Sequence, residues 1–268
     1  MRTWIQLISG TVGGHTGRLT LSLGALCLSA LVAAQPVPVT IAAEDDWAPY
    51  SSMKKDGSGP EGFAPDLVRA VFKLKGIDVK FVTVPFTRCL HLVKTGKVVA
   101  CFDTTMTDEN RNEFYWHPTP IFEEGLAIFA LSDAPADNLS AKDLEGSTVG
   151  ITTGYTYPSD FMRNLKIKKF EANSDDHLVK MLMAKRVKFV VMNTLPGLLR
   201  IKNDKATAGK IKPVGLLSKD GFWLNFSKSH PDGKRLSEVF EAGLQEFKKS
   251  GQYDKLNTDF RARLGVPP

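Results

Sequence analysis

The first of three chemically unusual segments runs from Glu44 to Tyr50, where three acidic side chains stand beside Trp47 and Tyr50. Aromatic rings can form an apolar wall against a ligand while carboxylates hold a cation. The plain alternative is an exposed loop whose two rings pack against the protein. The segment is therefore a candidate part of a binding site.

The second segment, Asp103 to Arg111, begins with an acid and two threonine hydroxyls. Hydroxyl groups directly after a strand can hydrogen-bond a ligand. The planar guanidinium of Arg111 suits a carboxylate, because it can make two parallel charge-assisted hydrogen bonds. The alternative is a surface ion pair of Arg111 with Asp108 or Glu113.

The third segment, Gly150 to Tyr157, is a predicted strand that turns through Gly154 towards a helix. Free backbone amides at the start of a helix suit an anion such as a carboxylate. The segment lacks the lysine of a phosphate loop and the glycine spacing of a dinucleotide fold. It does not by itself predict a nucleotide site.

Strands and helices alternate along the chain, so each of these segments follows a strand. The predicted strands are 39–43, 79–84, 98–102, 148–152, 187–192, 211–217 and 222–226, and the predicted helices are 65–75, 86–95, one capped by Ser174, and two at the carboxyl end. This order implies parallel sheets with right-handed crossovers, and ligands bind beyond the carboxyl ends of such strands. Two α/β lobes fit this length better than one continuous sheet.

The first 34 residues have the layout of a secretory signal peptide. Arg2, His15 and Arg18 precede sixteen uncharged residues that end in Val32-Ala33-Ala34. The apolar run is shorter than the roughly 20 residues that a membrane span needs. A lipoprotein signal at Cys27 is the weaker alternative, because Leu26 stands where a small residue is expected. We therefore expect cleavage after residue 34 and a periplasmic protein.

Removal of this segment leaves 33 basic and 29 acidic side chains, a formal net charge of +4. The basic residues are interleaved with acids, which favours an ordinary solvated surface over a nucleic-acid partner. There is no CxxC motif and no metal-ligand spacing among the five histidines. We expect no metal, no cofactor, no catalytic residue and a monomeric protein.

Two cysteines, Cys89 and Cys101, remain after cleavage. Cys89 falls in the first turn of a predicted helix and Cys101 near the end of the next strand, which places both at one edge of the sheet. In an oxidising compartment such a pair favours a disulfide, whereas in the cytosol two buried thiols would be the simpler reading.

Several segments together resemble a known family. They are Glu44-Asp45-Asp46-Trp47-Ala48-Pro49-Tyr50, Gly62-Phe63 with Asp66, Pro85-Phe86-Thr87-Arg88-Cys89-Leu90, Val98 to Phe102 continuing to Arg111, Pro120-Ile121-Phe122, Gly150 to Tyr157, and Gly251-Gln252-Tyr253-Asp254-Lys255-Leu256. In this order and spacing they resemble the periplasmic solute-binding proteins of family 3, the polar amino-acid type, over essentially the whole chain after residue 34.

The resemblance implies an α/β, two-lobed, periplasmic-binding-protein-like fold of type II, in which each lobe is a parallel-rich sheet flanked by helices. Two hinge strands would lie near 126–129 and 222–226. Lobe 1 would comprise 35–127 and 224–268, and lobe 2 would comprise 128–223.

The resemblance also implies a set of ligand contacts. They are Trp47 and Phe86 as aromatic walls, Arg111 as the clamp of an α-carboxylate, Asp103 and Thr104 at hydroxyl-bearing positions beside it, the helix-start amide of Thr156, and the neighbouring Tyr155 and Tyr157. One departure stands out: the aspartate that holds the α-ammonium in the family falls on Asn193. Glu44 and Asp103 are the candidates to replace its charge.

The expected function is capture of a small polar solute, amino-acid-like or carboxylate-bearing, for an ABC importer by hinge closure. The partners would be that solute and an inner-membrane permease. Two alternatives stay open. One is a dehydratase of cyclic acids on the same fold, with Asp103 or Glu44 as general acid. The other is a sensor that presents its ligand state to a membrane receptor.

Overall fold

The computed structural model describes Gly13 and residues 38–266. The predicted signal peptide, residues 1–34, lies outside the described residues apart from Gly13. Within the described part of the chain, none of the helices has the length and apolar character needed to cross a membrane.

The structure alternates strands with helices. The strands are β1 Val39–Glu44, β2 Asp46–Trp47, β3 Ser51–Met53, β4 Pro60–Glu61, β5 Val79–Val84, β6 Ala100–Thr104, β7 Phe114–Trp116, β8 Phe122–Leu131, β9 Thr148–Thr152, β10 Lys168–Ala172, β11 Phe189–Asn193 and β12 Ile211–Ser227. The helices are α1 Phe63–Leu74, α2 Phe86–Lys94, α3 Ser159–Arg163, α4 Asp175–Met183, α5 Thr194–Asn203, α6 Gly233–Lys249 and α7 Gln252–Leu264, with a short 3-10 helix at Ala141–Leu144.

The large sheet has the strand order β10-β9-β11-β8-β12-β6-β1-β5, and β7 also pairs with β12. Strands β5, β1 and β6 are parallel neighbours at one end, and β10, β9 and β11 are parallel neighbours at the other. The antiparallel pair β8 and β12 joins these two groups. We refer to the group around β1, β5 and β6 as the first half and the group around β9, β10 and β11 as the second half.

Each half has its own apolar core. Phe63, Phe72 and Phe240 are buried between the first-half sheet and helices α1 and α6, whereas Phe161 and Phe189 are buried in the second half. Burial of such aromatic side chains is the main source of stability for each half. The structure therefore confirms a mixed α/β fold, in which one hydrogen-bonded sheet runs through both halves rather than the two separate sheets that were expected.

The prediction of two separate strands at 211–217 and 222–226 is wrong. The intervening Ser218-Lys219-Asp220-Gly221 is polar and ends in glycine, which is typical of a turn. In the structure it stays extended because residues 218–221 pair with residues 123–126 of β8, and β12 runs unbroken through both halves. Tertiary pairing here overrides the local turn signal.

Two helix starts also differ from prediction. Helix α1 begins at Phe63 rather than Pro65; its first turn tolerates proline because the first backbone N–H groups of a helix have no intrahelical acceptor. Helix α3 begins at Ser159 after Pro158. Thr156 therefore does not lie at the start of a helix, contrary to expectation.

Helix α5 was not predicted. Its sequence contains Pro196 and Gly197, which weaken a helical pattern. Gly197 is buried against Phe129 of β8, and a Cβ atom there would come within 2.8 Å of the Phe129 ring. Glycine thus allows α5 to pack closely on the sheet.

The disulfide between Cys89 and Cys101 is confirmed. It joins α2 to β6 with a Cα–Cα distance of 5.8 Å, within the usual range. Both cysteines are fully buried. The bond fixes the helix that begins at Phe86 to the strand that carries Asp103.

Candidate functional site

The strand register places two acidic residues next to each other. In the parallel pair of β1 and β6, Ala42 lies opposite Cys101. Glu44 and Asp103 each follow two residues later, at the carboxyl ends of these strands. On the other side of β1, Glu44 lies opposite Val84, and α2 begins two residues beyond at Phe86.

These strand ends meet a loop of the second half around a small cavity of about 20 Å³. We call this the acid cavity. It is lined by Glu44, Trp47, Phe86, Asp103, Thr105, Tyr155 and Thr156. Six of these seven residues were predicted as ligand-binding residues. Thr105 was not in that set, although both threonine hydroxyls of this segment had been noted directly after the predicted strand.

Asp103 is the most unusual residue of the acid cavity. It is 4% exposed, and neither carboxylate oxygen has a hydrogen-bond partner within the described chain. Its φ angle of 64° lies in the left-handed region, which is uncommon for a residue other than glycine. Burial, together with the nearby charge of Glu44, raises the pKa of Asp103 well above its usual range.

Glu44 is also buried, and it accepts a hydrogen bond from the hydroxyl of Tyr155 at 2.6 Å. Burial raises the pKa of Glu44 to about 8, with smaller upward contributions from the charges of Asp175, Asp45 and Asp46. The Tyr155 hydrogen bond acts in the opposite direction, because it stabilises the ionised carboxylate. The contact also links the two halves, since Tyr155 follows β9.

Aromatic rings form the remaining walls of the acid cavity. Trp47 is 2% exposed and packs on Tyr50 and Phe222, with ring centroids 4.9 Å apart in each pair. Its indole Nε1 is buried and has no hydrogen-bond partner in the described region. Phe86 meets Tyr155 edge to face at 5.9 Å. The rings give the two carboxylates an apolar surrounding.

A second cavity, of about 320 Å³, lies beside the first. We call it the arginine cavity, since Arg111 lines it together with Thr105, Asp108, Thr156, Tyr157 and Asp220, among others. Arg111 pairs with Asp108 at 2.7 Å, and its side chain is 55% exposed. Thr105 and Thr156 line both cavities.

Three predicted ligand-binding residues make contacts within the protein. The hydroxyl of Thr104 donates to Asn225 Oδ1 at 3.3 Å. The hydroxyl of Tyr157 accepts a hydrogen bond from the Thr152 backbone N–H at 2.7 Å. Asn193 lies at the end of β11, and its side chain donates to the Gly125 carbonyl at 3.5 Å. Thr104 and Asn193 line neither cavity, and Tyr157 lines the arginine cavity alone.

Two further ionic contacts join the halves, and neither was predicted. Glu109 accepts hydrogen bonds at 2.8 Å from Ser159 and from Arg163. Asp46 pairs with Arg200 of α5 at 3.1 Å. Partners in these pairs are 50 or more residues apart in the chain, so no local pattern indicates them.

The chemistry of the site is that of binding. The acid cavity offers two carboxylates and three aromatic rings, and the arginine cavity offers one guanidinium, three carboxylates and several hydroxyl groups. Within residues 38–266 no group of three or more histidine, cysteine or acidic side chains is placed to hold a metal ion.

Comparison with known proteins agrees with this geometry. The model of the bacterial extracellular solute-binding proteins, family 3, matches residues 39–262. The lysine/arginine/ornithine-binding periplasmic protein of Escherichia coli K12 is 24% identical over 247 residues, 89% of this chain and 93% of that protein. A probable histidine-binding protein of Campylobacter jejuni is 26% identical over 207 residues, 75% of this chain and 77% of that protein. The structure of an ancestral arginine-binding protein bound to arginine superposes with a TM-score of 0.72 at 24% identity, covering 83% of this chain and 97% of that one. The chain therefore belongs to the bacterial extracellular solute-binding proteins of family 3.

Proposed function

We propose that this protein captures a small, amino-acid-like solute outside the cytoplasm and delivers it to an ABC importer. The support is the family together with the relatives in Escherichia coli and Campylobacter jejuni, whose names describe proteins that bind basic amino acids or histidine. A solute-binding family is not a family of enzymes, which counts against the dehydratase alternative.

The observation that carries the proposal is the charge arrangement of the cleft. Within the described chain, two carboxylates and no basic side chain line the acid cavity, Arg111 lines the arginine cavity beside Asp108, Asp160 and Asp220, and Thr105 and Thr156 belong to both. A ligand that lies across these two threonines would have one end near carboxylates and the other near Arg111. An amino acid, with an ammonium and a carboxylate, matches this arrangement of charges.

The proposed mechanism is hinge closure about β8 and β12. The ligand first binds to the first half through Trp47, Phe86 and Arg111, and the second half then closes over it with Tyr155 and Thr156. Contacts such as Glu44 with Tyr155 would stabilise the closed arrangement. Ligand binding shifts the population towards the closed state because only that state makes both sets of contacts.

We further propose that residues 1–34 direct export to the periplasm and are removed there, and that the closed protein is recognised by an inner-membrane permease. In this proposal residues 35–127 and 224–268 form one lobe and residues 128–223 the other. The pairing of β8 with β12 across both halves supports this division.

A thermal-shift screen tests the proposal. The purified protein would be heated with amino acids, amines and small carboxylates at high concentration. A ligand at 100 times its dissociation constant adds roughly 2.7 kcal/mol to the free energy of unfolding, which gives a clear rise in Tm. An unchanged Tm with every solute in the screen would contradict solute capture.

A further inference from the structure

A third cavity, of about 370 Å³, lies beside β8 and β12. The two strands line one side of it through Glu123 and Lys219, and helices α6 and α7 line the other through Lys248 and Arg261. We call it the hinge cavity. On β12, Lys219 lines the hinge cavity and the next residue, Asp220, lines the arginine cavity, because successive side chains of a strand point to opposite faces. The hinge cavity and the cleft therefore lie on opposite faces of this strand and share no lining residue.

The hinge cavity carries more positive than negative charge. Three basic side chains line it, Lys219, Lys248 and Arg261, against one acidic side chain, Glu123, which already pairs with Lys219 at 2.7 Å. By contrast, two carboxylates line the acid cavity, and three carboxylates stand beside the single guanidinium of the arginine cavity. Of the three cavities, the hinge cavity is therefore the one that attracts an anion.

Lys248 is held in place at the end of α6. Its ammonium donates a hydrogen bond to the Pro120 carbonyl at 3.2 Å and lies 4.8 Å from the centre of the Tyr253 ring. Both of these partners are uncharged, and the surrounding carboxylates act on Lys248 only through their charges. Partial burial accordingly lowers the pKa of Lys248. A lysine fixed in this way loses little side-chain entropy when it pairs with an anion.

Buried aromatic rings form the floor of the hinge cavity. Tyr50 stacks on Phe122 with ring centroids 4.3 Å apart, and Phe63 packs on Phe260 at 5.1 Å. The hydroxyl of Tyr253 donates a hydrogen bond at 2.8 Å to the backbone carbonyl directly before β8, which holds α7 against this strand. The cavity is thus pre-formed, and its apolar floor strengthens the attraction between the basic side chains and an anion.

We propose that the hinge cavity is a second ligand site, which binds a small anion with two or more carboxylate or phosphate groups. Arg261 suits such groups because a guanidinium can donate two parallel charge-assisted hydrogen bonds, and Lys219, Lys248 and Asn257 supply further donors. The volume of the cavity is that of an ordinary small-molecule site. The inference goes beyond the proposed function, since this anion binds outside the cleft in which the amino-acid-like solute is proposed to bind.

Isothermal titration calorimetry at low salt tests the inference, with citrate as the carboxylate probe and pyrophosphate as the phosphate probe. We expect at least one of them to bind, and the tighter of the two identifies the acidic group that the site prefers. Lys248→Gln and Arg261→Gln should each weaken the tighter anion by about fivefold or more, because each removes a charged donor. Lys248→Arg keeps the charge and should retain most of the affinity.

Lys255→Gln is the matched control. Lys255 is also on α7, but it pairs with Asp259 at 2.7 Å and does not line the hinge cavity. The variant loses the same charge and should bind the anion within about twofold of the wild-type affinity, because an exposed and distant charge is screened by solvent. Arg111→Gln locates the anion, since binding in the hinge cavity does not depend on a side chain of the cleft. Melting curves establish that each variant is folded.

Several results would overturn the anion site. They are an absence of binding heat with both anions, unchanged affinity in Lys248→Gln and Arg261→Gln, an equal loss in Lys255→Gln, or a loss in Arg111→Gln, which would place the anion in the cleft. If one of the two glutamine variants fails to fold, the other decides. The proposed function is tested separately by the thermal-shift screen with amino acids, and none of these results changes its outcome.

Discussion

The acid cavity and the arginine cavity share two threonines but hold their charged groups in different ways. Glu44 and Asp103 are buried, and their pKa values are raised. Arg111 is half-exposed and already paired with Asp108. A buried charge without a partner lowers the stability of the protein, and a ligand that pairs with it gains binding free energy. An exposed ion pair contributes little to either stability or affinity. An amino acid bound as proposed would therefore gain more from pairing with the buried carboxylates than from contact with Arg111.

The largest expected effect concerns Glu44, whose pKa is raised from 4.5 to about 8. At low pH this group is protonated in both the folded and the unfolded chain. As the pH rises through 4.5 the unfolded chain ionises first, so the wild-type protein loses stability until the pH passes 8. We expect Glu44→Gln to exceed the wild type by about 3 to 4 kcal/mol near pH 8 and to match it near pH 4.5.

Urea denaturation of both proteins across this range measures the difference. His117 has a lowered pKa, so its contribution makes the protein more stable as the pH rises in this range. This contribution is the same in both proteins and cancels in the difference between their free energies of unfolding. A stability gap that stays constant with pH would show that Glu44 is not buried as an acid with a raised pKa.

The next effect concerns the covalent support of the acid cavity. The disulfide joins Cys89 of α2 to Cys101 of β6, the elements that carry Phe86 and Asp103. Replacement of both cysteines by serine should lower the free energy of unfolding by about 2 to 3 kcal/mol, because the closed loop is short. Chemical denaturation of the variant and of the reduced wild type should give the same loss. If the unreduced wild type were no more stable than the serine variant or the reduced protein, the disulfide bond would be contradicted.

The arginine cavity should show a smaller effect that depends on the ligand. Arg111→Lys should weaken a carboxylate-bearing ligand by tenfold or more, about 1.4 kcal/mol, because an ammonium cannot reproduce the two parallel hydrogen bonds of a guanidinium. Calorimetry with L-lysine and cadaverine isolates the carboxylate. Equal losses of affinity for both ligands would show that Arg111 does not contact the ligand carboxylate.

The smallest effect separates two neighbouring tyrosines. Tyr157→Phe removes the acceptor of the Thr152 N–H and should cost about 1 kcal/mol of stability at any pH. Tyr155→Phe removes a donor to Glu44, so its cost should grow as Glu44 ionises. Denaturation on both sides of pH 8 distinguishes them. Parallel pH profiles for the two variants would contradict the separate roles.

Much of the fold could be predicted from local patterns. The strands around 39–43, 79–84 and 148–152 and helix α2 follow from apolar periodicity, caps and glycine stops. The unbroken course of β12 and the presence of α5 could not, because both depend on packing against β8. Gly197 weakens a helix in isolation, but its close contact with the Phe129 ring leaves no room for a larger side chain and explains why glycine stands there.

The candidate site was predictable in its composition but not in its arrangement. Residues at the ends of β1, β6 and β9 were identified because ligands bind beyond such ends. The division of these residues between two cavities depends on side-chain directions that no spacing shows. The same is true of the Tyr155 contact with Glu44, which joins residues 111 positions apart.

The most direct test of the proposed binding site is the proton balance of ligand binding. The ammonium of an amino acid bound in the acid cavity favours ionised Glu44 and Asp103. Glu44 is also influenced by the Tyr155 hydroxyl and by the charges of Asp175, Asp45 and Asp46, and Asp103 acts on Tyr50. Titration of the tightest-binding amino acid near pH 7, in two buffers with different ionisation enthalpies, should reveal net proton release, which Asp103→Asn reduces. Binding heats that are the same in both buffers would contradict the placement of the ammonium beside these carboxylates.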